Sequence, residues 1–413
     1  MAIKYLKVNE IVKSISDTHS FNKEKLIAIN TSDVLEGRFI SSSLTPVKEL
    51  KGQFKKKIKK DDILFSEIRP ANKRYARVEF SDTDDYVVST KLMVLRKFND
   101  DVDLDYFYYW LTSEKTLKIL QDRAENRICS FPQITFELLS EYSVPVPDLQ
   151  TQRKIGSFLK KIDECIDINN SINNRINNTL KLIYNYWFNQ FNFPDDNNNP
   201  YNFSNGKMVW NKDLKREIPE NWNVSNLINN NICSVIKSGV KKFTTKNYLP
   251  TANVDGELII DGEDVTYDNR ESRANMEPIK YSVWFAKMKN SIKHISIPNN
   301  GQWFIDKYIL STGMEGIKCQ DYSFPYINSV ICSDYFERHK DVLSHGATQE
   351  GVNDEDLKNI LFVIPPKEVL EKYSIITTPM LEKKFDILRT NKKLMDIRNS
   401  LLPQLMSGQV KLS

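Results

Sequence analysis

The feature that most constrains this chain is that its second half repeats the plan of its first, displaced by about 220 residues. TSDVLEG (Thr31 to Gly37) answers to TANVDGE (Thr251 to Glu257), with the threonines and the valines each 220 apart. LFSEIRP (Leu64 to Pro70) faces WFAKMKN (Trp284 to Asn290) at the same offset. YVVST (Tyr86 to Thr90) faces YILST (Tyr308 to Thr312) at 222, and SVPVP (Ser143 to Pro147) faces FVIPP (Phe362 to Pro366) at 219. LIYNYWF (Leu182 to Phe188) lies over LLPQLMS (Leu401 to Ser407), again at 219. A single YxxST match arises readily in unrelated strands. Five matches in one order, with offsets confined to 219–222, mark a duplicated architecture. At 413 residues the chain is long enough to build two cores.

Each repeat has two parts. The first is a mixed region with short β-like runs such as YVVSTKLMVLRKF (Tyr86 to Phe98) and GELIIDGEDVTY (Gly256 to Tyr267), bounded by turn residues. It also carries one apolar helical stretch, Leu104 to Leu120, with Tyr326 to Leu343 as its partner. The second part is a long helix. In the first repeat its apolar positions are Ile155, Leu159, Ile162, Ile166, Ile176, Leu180, Ile183 and Trp187. Their alternating steps of four and three, with Asn169 and Asn173 at two seam positions, describe a coiled-coil seam. Shifting by 219 gives Leu381, Phe385, Leu388, Lys392, Met395, Asn399, Leu402 and Met406. Pro379 is expected to start or kink that second helix.

Two helices that cannot bury their stripes alone most simply pair with one another, as a rod of roughly 55–60 Å. The alternative is that each packs on its own globule. The expected fold class is α+β: two tandem mixed α/β domains joined by two long helices forming an intramolecular antiparallel coiled coil. The boundaries follow as 1–147 and 194–366 for the mixed domains, with 148–193 and 367–413 for the helices.

Composition narrows the function classes. Hydrophobic residues make up 40% and charged residues 27%, the balance of an ordered globular protein. No run approaches the roughly 18 apolar residues of a membrane helix, and MAIKYLKVNE lacks a signal-peptide core, so a cytoplasmic protein without a membrane role is expected. Cys129, Cys165, Cys233, Cys319 and Cys332 are scattered, which suggests neither a disulfide frame nor a zinc site. His19, His294, His339 and His345 show no metal-binding spacing, so no metal is expected.

Catalytic constellations are missing too. The chain has no GxxxxGK[ST] loop, no GxGxxG turn and no NPPY-like segment. Asn199 to Tyr201 gives NPY, without the second proline, in an Asn- and Asp-rich stretch. Pro147, Asp148, Gln152 and Lys154 faintly mimic a nuclease pattern, but Asp148 reads better as a helix cap. A non-catalytic binding protein is the expectation; a fused DNA methyltransferase or nuclease, or a protein-only assembly scaffold, are the alternatives.

A net charge of +4 barely favours nucleic acid, yet basic residues cluster at equivalent places in both repeats. Lysine runs suit phosphates, and loop arginines and amides suit base edges. The candidate DNA-binding residues are Lys55, Lys57, Arg69, Lys73, Arg74 and Arg77 in the first repeat. In the second they are Lys241, Lys242, Arg270, Arg273, Lys289 and Gln349, the last in HGATQEGVN (His345 to Asn353). The corresponding loop of the first repeat is ENRICSFPQIT (Glu125 to Thr135).

Taken together, FSEIRP, YVVST, the passage VPVPDLQTQRKIGSFLKKIDECI (Val144 to Ile166) and the ending LLPQLMSGQVKLS resemble the specificity subunit of Type I restriction-modification systems over essentially the whole chain. The proline-led entry followed by Gln152, Arg153, Lys154 and Ile155 is the most specific segment. The resemblance implies two target-recognition domains, each reading one half of a bipartite double-stranded DNA site, with the helices as an antiparallel spacer. It implies docking of two modification (methyltransferase) subunits, joined by restriction (translocase/nuclease) subunits, in a bacterial or archaeal cytoplasm. S-adenosylmethionine, ATP and Mg would sit on those partners, with no cofactor in this chain. VIPPKEVLEKY (Val363 to Tyr373) is a degenerate form of the first helix entry, so different subunit contacts are expected there.

Overall fold

The computed structural model describes residues 4–41, 43–125, 132–228, 230–346 and 350–410. The chain forms two compact units, Met1–Asp167 with Lys393–Ser413, and Ile168–Lys392. Its principal helices are α1 (Leu104–Thr112), α2 (Glu114–Glu125), α3 (Leu149–Tyr184), α4 (Phe324–Ile331), α5 (Asp334–Leu343) and α6 (Lys367–Met406).

In the first unit, one four-stranded sheet runs Leu44–Pro46, Lys25–Ile29, Tyr86–Ser89, Phe54–Lys56, with the central pair parallel. A second runs Val12–Ser14, Leu92–Lys97, Ile63–Ser66, Tyr75–Arg77, all antiparallel. Every residue of Ile63–Ser66 is buried, as expected of a strand covered on both faces. Lys4–Lys7 pairs with Ser143–Val146, which delivers the chain to the start of α3.

The second unit repeats this plan strand for strand. Its sheets run Asp264–Val265, Lys246–Leu249, Tyr308–Ser311, Ala274–Met276, and Cys233–Val235, Met314–Cys319, Ser282–Ala286, His294–Ile297. Lys246–Leu249 and Tyr308–Ser311 form the parallel pair, and Asn223–Ser225 with Phe362–Ile364 forms the closing pair. Buried tyrosines 220 apart tie the equivalent helices α1 and α4 to the closing strand of each unit. The Tyr106 hydroxyl donates to the Pro145 carbonyl and the Tyr326 hydroxyl to that of Val363, each at 2.5 Å. The hairpin Met208–Asn211 and Arg216–Pro219, beside the stacked Phe193 and Tyr201 rings, has no equivalent among the described residues of the first unit.

The helical stretch expected at Leu104 to Leu120 is two helices, broken at Ser113. Ser113 is extended, and its hydroxyl accepts from the Thr116 amide at 3.2 Å, so it caps α2 rather than continuing α1. Ser333, 220 residues on, does the same for α5 through the Phe336 amide at 3.2 Å.

Helix α3 starts where Asp148 accepts from the Thr151 amide at 2.9 Å. Gln152 lies fully buried one turn in. Its amide donates to the carbonyls of Asp101 (3.0 Å) and Pro147 (2.8 Å), and its oxygen accepts from the Asp103 amide (2.9 Å). At Gly156 a side chain would come within 2.8 Å of Asp105 Cβ, so this glycine lets α3 seat against the start of α1.

The long helices pair with each other and also pack on the globules, so the two alternatives drawn from the sequence are both realised. In the second unit Asn169 donates to Asn391 at 2.7 Å while Trp187 and Phe188 pack on Tyr373, which makes the pairing antiparallel. In the first unit Arg398 bonds Asp163 at 2.6 Å, and Ile155 and Leu159 share a core with Leu402, Leu405 and Met406. Of the other seam positions, Ile162, Ile166, Leu180, Leu381 and Phe385 are buried, whereas Ile176, Ile183, Leu388 and Met395 are half-buried.

Two seam expectations are corrected. Pro379 does not start the second helix, which begins at Lys367 and runs through it. The carbonyl that Pro379 leaves unpaired is that of Ile375, and both residues are exposed, so water can satisfy it. Lys392 does not enter the seam as a polar spacer residue. It turns to Asp261 of the globule at 2.7 Å.

Candidate nucleic-acid interface

The basic residues singled out from the sequence fall into two populations, separated by whether the fold already uses their charge. In the first unit Arg77 is clasped between Asp61 and Asp105, only 16% of its side chain exposed. Burial opposes its charge, but the two carboxylates outweigh it and raise the pKa. Arg74 donates to the backbone carbonyls of Ser32 (3.2 Å) and Val34 (3.3 Å). Lys73 pairs with Glu36 at 3.2 Å and approaches Glu114 at 4.0 Å, and Lys57 pairs with Asp84 at 2.9 Å. Lys55 and Arg69 are exposed.

The second unit divides in the same way. Arg270 lies over the Tyr267 ring, 4.2 Å from its centroid, and donates to the Tyr267 carbonyl. Lys241, Lys242 and Arg273 are exposed. Lys289 meets Glu350 at 2.5 Å in a surface pair. Gln349 lies outside the described residues. Of the candidates, Arg77, Arg74 and Arg270 already have partners within the fold, remote in sequence for the first two and a neighbouring ring for the third.

The exposed cations come from both sheets of each unit. Lys55 sits on the edge strand Phe54–Lys56 of the sheet with the parallel pair, whereas Arg69 follows the central strand Ile63–Ser66 of the other sheet. Lys241, Lys242 and Arg273 flank strands of the sheet with the parallel pair in their unit, and Lys289 follows the strand Ser282–Ala286 of the other. Each unit thus presents basic groups from the ends of both sheets. Exposed cations in loops and on sheet edges are of the kind that contact phosphates, while loop side chains are of the kind that contact base edges.

Sequence reasoning missed the buried ionic cluster of the second unit. His294 Nε2 lies 2.7 Å from Glu337 Oε1, and Lys340 Nζ lies 2.6 Å from Glu337 Oε2. Lys340 also donates to the Ser291 carbonyl at 2.9 Å. All three side chains are buried, so the cluster anchors α5 to the sheet. Glu337 and Lys340 occupy consecutive sites on one helix face, a spacing visible in the sequence, but the partner His294 is 43 residues away. Among the described residues, no group of three or more His, Cys, Asp or Glu side chains is placed to hold a metal ion, and no helix is long and apolar enough to cross a membrane.

Comparison with known proteins supplies the context. Residues 4–178 match the family described as Type I restriction modification DNA specificity domain. The chain is 26% identical to the Type I restriction enzyme HindI specificity subunit of Haemophilus influenzae, over 98% of this chain and 99% of that protein. It is 22% identical to the MjaIX specificity subunit of Methanocaldococcus jannaschii, over 76% of this chain and 70% of that one. The crystal structure of the Type I restriction-modification S subunit from M. genitalium shares the fold, with a TM-score of 0.54 at 15% identity over 98% of this chain and 96% of that one.

Proposed function

We propose, from the match of residues 4–178 to the Type I restriction modification DNA specificity domain, that the chain is the non-catalytic DNA-recognition subunit of a Type I restriction-modification complex, reading a bipartite site. The observation that carries this reading is the repeated topology. The same two sheets, the same parallel pair and the same closing strands occur twice, each set mounted on stretches of the same two helices. A protein that reads two separated half-sites needs that form: two readers of one design and a stiff element of fixed length.

In this reading 1–147 and 194–366 are target-recognition domains, and 148–193 with 367–413 form the spacer. Lys55, Arg69, Lys241, Lys242, Arg273 and Lys289 face the DNA, with the lysines of the sheet edges on phosphates. Two modification subunits dock on the chain and bring S-adenosylmethionine and the methylating site. Restriction subunits bring ATP and Mg, and the assembly works in the cytoplasm of a bacterium or archaeon.

The test uses the full chain with its modification subunits and a pool of random DNA. Protection of one split sequence is expected, and binding without sequence preference at every salt concentration would remove the reading. Whole heptads inserted opposite each other in α3 and α6 should lengthen the unread gap while leaving both half-sites unchanged.

A further inference from the structure

We infer that one clamped pair of loops in each unit, carrying Arg69 at its tip in the first and Lys289 in the second, reads the acceptor edge of a guanine in one half-site. The inference rests on the specificity-subunit reading above and assigns its base-reading positions. In the first unit the chain leaves the buried strand Ile63–Ser66 and meets a second loop at Ile68, bridged to Gln133. Backbone bonds close the clamp on either side: the Arg69 amide donates to the Pro132 carbonyl at 3.0 Å, and the Ile134 amide to that of Glu67 at 2.8 Å.

The second unit builds the same clamp. Met288 is bridged to Gly351, the Lys289 amide donates to the Glu350 carbonyl at 3.0 Å, and the Val352 amide donates to that of Lys287 at 3.0 Å. Ile68 and Met288, like Arg69 and Lys289, are 220 apart.

The framework is shared and the side chains on it are not. Ile68 stands against Met288, Arg69 against Lys289, Pro70 against Asn290, and Gln133 against Gly351. Packing alone would require neither an exposed cation at the same place in both units nor this divergence around it. Two readers that each contact a guanine inside different flanking sequences would show both: a cation kept at one position and altered neighbours around it. The clamp also holds unusual backbone: Arg69 (φ 47°) and Asn290 (φ 55°) occupy the left-handed region, where a residue other than glycine stays only if its surroundings over-determine it. A rigid tip of this kind loses little freedom on meeting DNA.

Charge accounting leaves these two residues available, as it does Lys55, Lys241, Lys242 and Arg273, and the shared clamp singles them out among these. Arg74, Arg77 and Arg270 are committed to internal partners, whereas Arg69 is exposed and makes no side-chain hydrogen bond or ion pair among the described residues. The Lys289–Glu350 pair has both side chains more than a third exposed, so it opens at little cost. Arginine and lysine both match the O6 and N7 acceptors of guanine in the major groove.

The experiment selects preferred sequences from DNA randomised in both halves, using the full chain with its modification subunits. Arg69→Ala is expected to erase the preference for one guanine in one half-site, to weaken binding of the wild-type site about ten-fold, and to leave the other half unchanged. Lys289→Ala should act in the other half alone. Arg69→Gln should move the preference at the same position towards adenine, and this change of preference cannot come from misfolding. Equal weakening on every sequence with a shallower salt dependence would make Arg69 a phosphate contact and overturn the inference, as would unchanged preference in both halves. A wild-type complex that selects no split site would instead remove the specificity reading itself.

Discussion

At the scale of single residues, the fold is held by polar groups whose partners lie far along the chain. His294 shows the consequence for pH. Burial works against its charge, but Cys332 and Glu337 beside the ring outweigh it, and its pKa is pushed up to about 10. Burial pushes the Glu337 carboxyl up, yet the bonds from His294 and Lys340 prevail and hold it below the usual range. A raised folded-state pKa means a contribution to stability that is complete below the unfolded value of about 6.5 and lost as pH climbs towards the folded value. Wild type should therefore exceed His294→Gln in resistance to urea at pH 6, and that advantage should shrink by pH 9.5. An equal advantage at both values would show that His294 is neutral in the folded protein. The sequence showed His294 only as one of four unremarkable histidines, because the charges that determine its state come from another element.

At the scale of elements, the long helices combine an apolar seam with a polar interruption. Asn391 is only 6% exposed; its oxygen accepts from Asn169, and its amide donates to Asn170 at 3.0 Å. Buried amides in a helix seam lower stability but single out one register. Asn391→Leu should raise the thermal midpoint by an amount equivalent to roughly 1 kcal/mol while loosening the register, seen as faster amide exchange along α3 and α6. A less stable variant with unchanged exchange would show that the amides contribute stability rather than register. The seam was legible in the sequence because a repeat of four and three is a local property of the chain. Lys392 was not, because its position in that repeat said nothing about Asp261 waiting on the globule. Nor were the breaks at Ser113 and Ser333, where apolar periodicity continues across a capping hydroxyl.

At the scale of the whole molecule, each unit is assembled from pieces distant in sequence. The first takes Lys393–Ser413 from the far end of the chain. Leu402, Leu405 and Met406 complete its core, and Arg398 bonds Asp163. Burying three such apolar side chains contributes about 4–9 kcal/mol, comparable with the entire stability of an ordinary domain. A chain ending at Lys392 should lose the calorimetric transition of the first unit and keep that of the second, with proteolysis concentrated in residues 4–125. An unaltered first transition would show that the terminal segment is dispensable. The boundaries drawn from the sequence at 147, 193 and 366 follow changes of periodicity, whereas the compact units divide both long helices between them.

The sequence by itself determined the duplication, the alternation of mixed globule with long helix, and the apolar seam, since each is carried by spacing along one stretch of chain. Tertiary structure alone decided which of the clustered cations are free. Arg77 and Lys73 owe their pairing to Asp105 and Glu36, and Arg69 owes its exposure to a clamp closed by Pro132 and Ile134. The physical reason is range. Hydrophobic periodicity is set by the geometry of the local backbone, but the availability of a charge depends on every group the fold brings within a few ångströms of it. The duplication therefore announced two units of one design, and only their folding singled out, in each, the loop tip that differs.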